Sequence, residues 1–186
     1  MGYAIAGALA ENGARVTLVS GPSHLPLPHP SVHRIMVNTA DEMYKSCMDL
    51  FPGCKGAVMA AAVSDYTPEK SQTEKIRSSE KTLNISLKST RDIASELGKQ
   101  KRKDQLLVGF ALETTQNHQS AFDKLSKKNL DFIVLNSLQD EGAGFGTDTN
   151  KISIIDNNQH IQEFDTKEKP LVAQDIVANI INLLQV

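Results

Sequence analysis

The sequence predicts an α/β fold: a doubly wound, mainly parallel sheet with a small β-hairpin appendage. Three observations carry that prediction. Helical and extended patterns alternate along the chain. Several extended segments are apolar throughout, as in strands buried on both faces of a parallel sheet. One late segment instead alternates about an Asp156-Asn157-Asn158 turn. In order, residues 3–12 are alanine-rich with Ile5 and Leu9 four apart, a helix that Gly13 ends. "RVTLVSG" reads as a strand, and "PSHLPLPHP" holds too much proline for a helix. "VHRIMV" is a second strand. "TADEMYKSCMDLF" opens with Thr39 and places Glu42 three later, a capping box. "KGAVMAAAV" is a third strand, expected to be buried on both faces. "LNISLK" alternates like an edge strand, "TRDIASELGKQ" is a helix, and "DQLLVGFAL" is another buried strand. "NHQSAFDKLSKKN" is helical, "DFIVLN" extended, "KISIIDNNQHIQEF" a hairpin, and "KPLVAQDIVANIINLLQV" a closing amphipathic helix. No repeat or low-complexity linker interrupts the series, so residues 1–186 read as a single Rossmann-like domain.

Composition removes several classes of function. The chain has 186 residues, enough to bury a core, and 20 basic against 22 acidic residues leave a net charge of -2. Without a basic surplus or an aromatic-interleaved basic stripe, nucleic acid is not an expected partner. No apolar run approaches the ~18 residues of a membrane span. The opening residues keep Glu11 and lack a basic leader, so they do not read as a secretory signal. Cys47 and Cys54 form no CxxC pair, and the histidines at 24, 29, 33, 118 and 160 are scattered. Free thiols in a reducing compartment, hence a cytoplasmic location, are the expectation.

In doubly wound sheets, ligands bind at the carboxyl ends of the strands. Those ends read "SGP", "AAVSDY", "GFALET" and "LNSLQDEGAGFG". A nicotinamide site wants an acid ending the second strand to hold a ribose, and Ser20-Gly21-Pro22 stands there instead. The glycines of "GAGFG", 142–146, precede no helical pattern and read as a loop. The basic residues say more. Lys124 and Lys128 are four apart on one helix, so both ammonium groups can leave the same face. Lys75 and Arg77 follow Asp65 on a polar tether. Cations converging at strand ends suit a polyphosphate; lysines of a solvated helix face are the plainer alternative.

At these residues the chain resembles a known family. "MGYAIAGALAENGARVTLVSGPSHLPLP", "AAAVSDYTPEK" with "EKI" after it, "TRDI", "VGFALET" and "KLSKKNLDFIVLN" together resemble phosphopantothenoylcysteine synthetase. This ligase of coenzyme A biosynthesis is often fused in bacteria to a flavin-dependent phosphopantothenoylcysteine decarboxylase. The resemblance implies that CTP activates the carboxylate of 4′-phosphopantothenate as an acyl-cytidylate. The amine of L-cysteine then displaces CMP. Mg²⁺ accompanies the triphosphate, and the enzyme is a homodimer, in which the late hairpin is one candidate for the pairing element.

Residue by residue, the resemblance implies that Met59, Ala60 and Ala61 let the nucleotide approach the strand end closely. Asp65 takes ribose hydroxyls. Lys75 begins a K-x-K-K flap motif that assists acyl-cytidylate formation. The motif reads Lys75-Ile76-Arg77-Ser78 here, so one cation is arginine and the third position is serine. The family's Asn-Pro-Asp-Ile turn falls on Thr90-Arg91-Asp92-Ile93, without its proline. Arg91, Asp92, Ile93 and Ala94 are thereby placed at the base edge, Phe110 against base or ribose, and Lys124 with Lys128 on the triphosphate. Family members carry a strand and an Ile-Ser-Asn-x-Ser-Ser-Gly-Lys turn before the position of Met1. The expectation is an N-terminally incomplete domain, lacking that asparagine and phosphate cradle, with weakened synthetase activity if nothing supplies them. A nucleotide-binding but catalytically degenerate relative and an NAD(P)-dependent reductase are the alternatives.

Overall fold

Alanine dominates the first helix because its small side chains let two helices meet closely on one face of the sheet. In the computed structural model, which describes residues 1–70, 74, 83–113, 118–137 and 148–184, α1 (Gly2–Glu11) packs against the last helix. It ends where Gly13 adopts φ +83°, a left-handed conformation that costs glycine little, with the Ala14 amide bonded to the Leu9 carbonyl. Next come β1 (Thr17–Ser20), β2 (His33–Met36) and α2 (Ala40–Leu50). The capping box is present at α2: Thr39 Oγ1 accepts from the Glu42 amide at 3.1 Å, and Glu42 Oε2 accepts from the Asn38 amide at 2.7 Å. After a 3₁₀ turn (Phe51–Gly53) follow β3 (Gly56–Met59), β4 (Tyr66–Pro68), β5 (Leu87–Ser89) and α3 (Ile93–Gln100). β6 (Leu106–Glu113), α4 (Gln119–Lys127) and β7 (Phe132–Ser137) continue the alternation. β8 (Thr149–Asn150), β9 (Ile152–Asp156), β10 (Ile161–Glu163), β11 (Lys167–Glu168) and α5 (Lys169–Leu184) complete the chain.

The main sheet has the order β10-β9-β7-β6-β3, parallel from β3 to β7 and antiparallel beyond. Alternation decides which helix each strand residue meets. Leu106, Val108, Phe132, Val134, Ile152 and Ile154 form one core with α1 and α5. Leu107, Ala111, Ile133, Leu135 and Ile155 form another with α2, α3 and α4. Helices thus cover both faces, and the doubly wound expectation holds. At the foot of the sheet, Asp131 Oδ2 accepts from the Leu107 amide at 2.6 Å and from Lys101 Nζ at 2.9 Å, which pins the β6–β7 register.

Three elements differ from the reading of the sequence. The strand expected over 55–63 stops at Met59 and is half-buried along its length. The reason is that β3 pairs only with β6, while β1 and β2 form a separate parallel pair. The hairpin extends the main sheet: β9 lies between β7 and β10. Asp156 Oδ1 organises its turn by accepting from the amides of Asn158 and His160 at 2.8 and 3.0 Å. The alternating stretch 83–88 becomes strand only at Leu87–Ser89, paired antiparallel to β4, a three-residue strand that the loop-like composition there concealed.

One contact locks α3 to the end of α4. A Cβ on Gly98 would collide with the carbonyl oxygen of Lys128, and Asn129 Nδ2 donates to the Gly98 carbonyl at 2.9 Å. Asn129 holds φ +50° to do so. Alanine is preferred to glycine in a helix by about 0.8–1 kcal/mol, yet Gly98→Ala must displace backbone. We expect Gly98→Ala to lower stability by about 1–3 kcal/mol, read as a lower urea midpoint with an unchanged slope. A raised midpoint would mean that the two helices separate at no cost.

Candidate functional site

A cleft of about 200 Å³ opens at the carboxyl ends of β3 and β6, the position at which ligands bind in such sheets. β3 delivers Met59, and the extended chain after it turns Ala61 into the cleft. Ala60 does not line it. A Cβ on Gly2 would lie 3.5 Å from the Ala60 side chain, so Ala60 faces the start of α1 instead, as alternation in an extended segment requires. Asp65 reaches the rim because its segment is tied down: Thr90 Oγ1 donates to the Ser64 carbonyl at 2.6 Å, and the Thr90 amide donates to the Asp65 carbonyl at 2.9 Å.

The turn after β5 supplies the second wall, with Thr90, Arg91, Asp92, Ile93 and Ala94. Asp92 is the N-cap of α3: Oδ1 accepts from the Ser95 amide at 3.0 Å. Its other oxygen, Oδ2, lies 2.8 Å from Lys128 Nζ. Partial burial raises the Asp92 carboxyl, but the Lys128 ammonium and the amides of Ser95 and Ala94 outweigh it and hold the group below the usual carboxylate range. Ile93 is 4% exposed and anchors α3 in the core. Arg91 lies over the ring of Tyr44 on α2, its guanidinium carbon 4.5 Å from the centroid.

The third wall is α4. Lys124 lines the cleft from its last turn, and Lys128 from the C-cap position, its amide donating to the Lys124 carbonyl at 3.0 Å. The spacing read from the sequence therefore brings both lysines to one cleft. Phe110 lines the floor beside Gly109, but it shares the strand face of Leu106 and Val108 and packs with the α1–α5 core. Gly109 is where Leu130 approaches β6 most closely. A glycine inside an apolar strand pattern signals such an approach, and the sequence reading passed over it. Val63, Leu130 and Ile133 complete the lining and carried no signal beyond core hydrophobicity. Lys75, Arg77, Ser78 and the glycines of 142–146 lie outside the described residues.

The chemistry available follows from this inventory. No serine, cysteine or histidine lines the cleft among the described residues, and the Thr90 hydroxyl is spent on the Ser64 carbonyl. Fixed cations and backbone donors remain, suited to holding an anion and neutralising charge that develops on it. No group of three or more histidine, cysteine or acidic side chains able to hold a metal ion occurs among the described residues. No helix among them is long and apolar enough to cross a membrane.

Comparison with known proteins agrees with this architecture. Residues 1–184 match the family model described as DNA/pantothenate metabolism flavoprotein, C-terminal domain. The Coenzyme A biosynthesis bifunctional protein CoaBC of Bacillus subtilis (strain 168) is 39% identical over 180 residues, which are 97% of this chain and 44% of that protein. A protein named Cysteine/Cysteine sulfinic acid decarboxylase, from an unknown prokaryotic organism, is 48% identical over 184 residues, covering 99% of this chain and 51% of that protein. The chain spans about half the length of these curated relatives. The crystal structure of the C-terminal domain of a Coenzyme A biosynthesis bifunctional protein CoaBC superposes with a TM-score of 0.82 at 34% identity. That match covers 99% of this chain and 83% of that one. Sequence and fold converge: the chain belongs to the DNA/pantothenate metabolism flavoprotein C-terminal domain family.

Proposed function

We propose that the chain is a phosphopantothenate–cysteine ligase acting in coenzyme A biosynthesis, with CTP as the activating nucleotide. The observation that carries this is the convergence of Asp65, Asp92, Lys124 and Lys128 on one cleft at the strand ends. Membership of a family whose relatives include the coenzyme A biosynthesis proteins supports it. In this reading a carboxylate oxygen of 4′-phosphopantothenate attacks the α-phosphorus of CTP, forming the acyl-cytidylate and expelling pyrophosphate. The amine of L-cysteine then attacks the acyl carbon; the amide forms, CMP departs and the amine loses its proton.

Neither step requires a nucleophile from the protein, in keeping with a cleft whose described lining residues include no serine, cysteine or histidine. Alignment of the carboxylate and neutralisation of the departing pyrophosphate supply the catalysis. Lys124 and Lys128 hold phosphate oxygens, and Asp65 accepts from the ribose hydroxyls. Mg²⁺, when bound, screens the phosphates. It would be held mainly by phosphate oxygens and water with at most one or two carboxylates, the coordination usual for this ion, and Asp65 and Asp92 are the acids among the described lining residues that could serve. The product retains the carboxylate of cysteine, so a flavin-dependent decarboxylase, fused or separate, is the natural functional partner. A cytoplasmic homodimer completes the proposal.

A second reading has one observation in its favour. The flap motif departs from K-x-K-K at Arg77 and Ser78, and a relative that binds nucleotide without ligating is what a crippled flap would leave. Titration calorimetry with CTP–Mg²⁺, ATP–Mg²⁺ and NADH separates binding classes first: CTP alone should give heat, and a response to NADH alone would overturn the assignment. Product formation from 4′-phosphopantothenate and L-cysteine then distinguishes ligase from binder.

Lys128→Ala should weaken CTP binding by about 1–3 kcal/mol, as for one charge-assisted contact, roughly 5- to 150-fold in Kd. Unchanged affinity would return Lys128 to the solvated surface. Lys75→Gln should slow acyl-cytidylate formation far more than it weakens CTP binding, measured by single-turnover release of pyrophosphate. Equal losses in both would reduce Lys75 to a binding group.

A further inference from the structure

The charges of the cleft do not favour a polyphosphate through the lysines alone. Asp65 and Asp92 cancel Lys124 and Lys128, so among the described lining residues the net positive charge rests on Arg91. Lys128 is moreover already engaged by Asp92 at 2.8 Å. Arg91 is differently placed. Its guanidinium carbon lies 4.5 Å from the centroid of the Tyr44 ring, a cation–π contact that occupies no carboxylate or carbonyl acceptor. No described acceptor takes any of these donors. Side-chain entropy ordinarily opposes fixing an arginine; here the aromatic platform has already ordered it.

We propose that Arg91 is a specificity-determining phosphate ligand of this site, with Tyr44 as its positioning residue. The inference rests on the ligase reading above and deepens it. A planar fork of N–H donors matches two oxygens of a phosphate group, which a lysine ammonium cannot do. Arg91 therefore selects for the charged chain of the nucleotide and not for its base.

The test is calorimetric titration of wild type, Arg91→Ala, Arg91→Lys, Tyr44→Phe, Tyr44→Leu and Lys128→Ala with CTP–Mg²⁺ and with inorganic tripolyphosphate, which has no base. Thermal unfolding should be close to wild type for the Arg91 variants, because Arg91 is exposed. Arg91→Ala should weaken both ligands by about tenfold or more, as for a charge-assisted contact. Arg91→Lys should recover only part of that loss. Tyr44→Phe should bind as wild type does, since the ring is kept, and Tyr44→Leu should fall in between. A loss for CTP with tripolyphosphate unaffected would place Arg91 on the base and overturn the proposal, as would failure of tripolyphosphate to bind wild type. If Arg91→Ala changes nothing while Lys128→Ala weakens CTP, Arg91 is a bystander and the ligase reading stands. If neither changes CTP binding, the ligase reading itself falls.

Discussion

The cleft depends on how closely α3 can approach the end of α4. Gly98 lets the Lys128 carbonyl rest against helix backbone where any side chain would collide. At the other end of the same helix, Asp92 holds the Lys128 ammonium. The two anchor points are six residues apart, about 9 Å at 1.5 Å per residue. Lys128 therefore lies stretched along α3, with its backbone at the foot and its charge at the N-terminus. A cation beside a helix N-terminus is electrostatically disfavoured, and the Asp92 carboxylate offsets that cost. An eight-residue helix thus acts as a ruler for the position of one charge.

Two ion pairs show how the sheet divides its tasks. Lys101 and Asp131, 9% and 25% exposed, meet at the amino ends of the strands, and Asp131 also takes the Leu107 amide. Removing either partner would strand a largely buried charge, a costly change, so this pair belongs to the fold. Lys128 and Asp92, 31% and 49% exposed, meet at the carboxyl ends. Pairs this open are worth about 0–1 kcal/mol, little enough for an incoming phosphate to compete for the ammonium. Rigidity lies at one end of the sheet and exchangeability at the other.

Features of short sequence range were legible, and those created by distant approach were not. Thr39 with Glu42, Gly13 after an alanine-rich run, and the apolar stretch of β6 each carry their signal within a few residues, and each appears where it was read. The i, i+4 spacing of Lys124 and Lys128 is likewise local, and it located a wall of the cleft. Tyr44 beneath Arg91 joins a residue of α2 to one of the turn before α3, with the β4–β5 ribbon between them in the chain, and nothing near either residue announces the other. The same holds for Gly98, which a helix-propensity argument would count only as a weak point. β4 has three residues, too few for a period to show. β3 misled for a related reason: its composition is that of a central strand, while its burial depends on neighbours that composition does not name.

The separation of β1–β2 from the five-stranded sheet has a consequence for how the molecule breathes. Sub-global opening follows hydrogen-bonded units, and the β1–β2 ladder can part without costing the β6–β7–β9 core a single backbone bond. Side-chain packing holds that ladder down, through Ala6, Ala10 and Val32 on one face and Val19 and Ile35 on the other, together with a 2.9 Å hydrogen bond between the Tyr3 and Ser20 hydroxyls. Amide exchange should therefore report two melting regimes in one native protein: an early one over 17–20 and 33–36, and a late one over the strands that floor the cleft. The cleft would stay assembled while its flank frays.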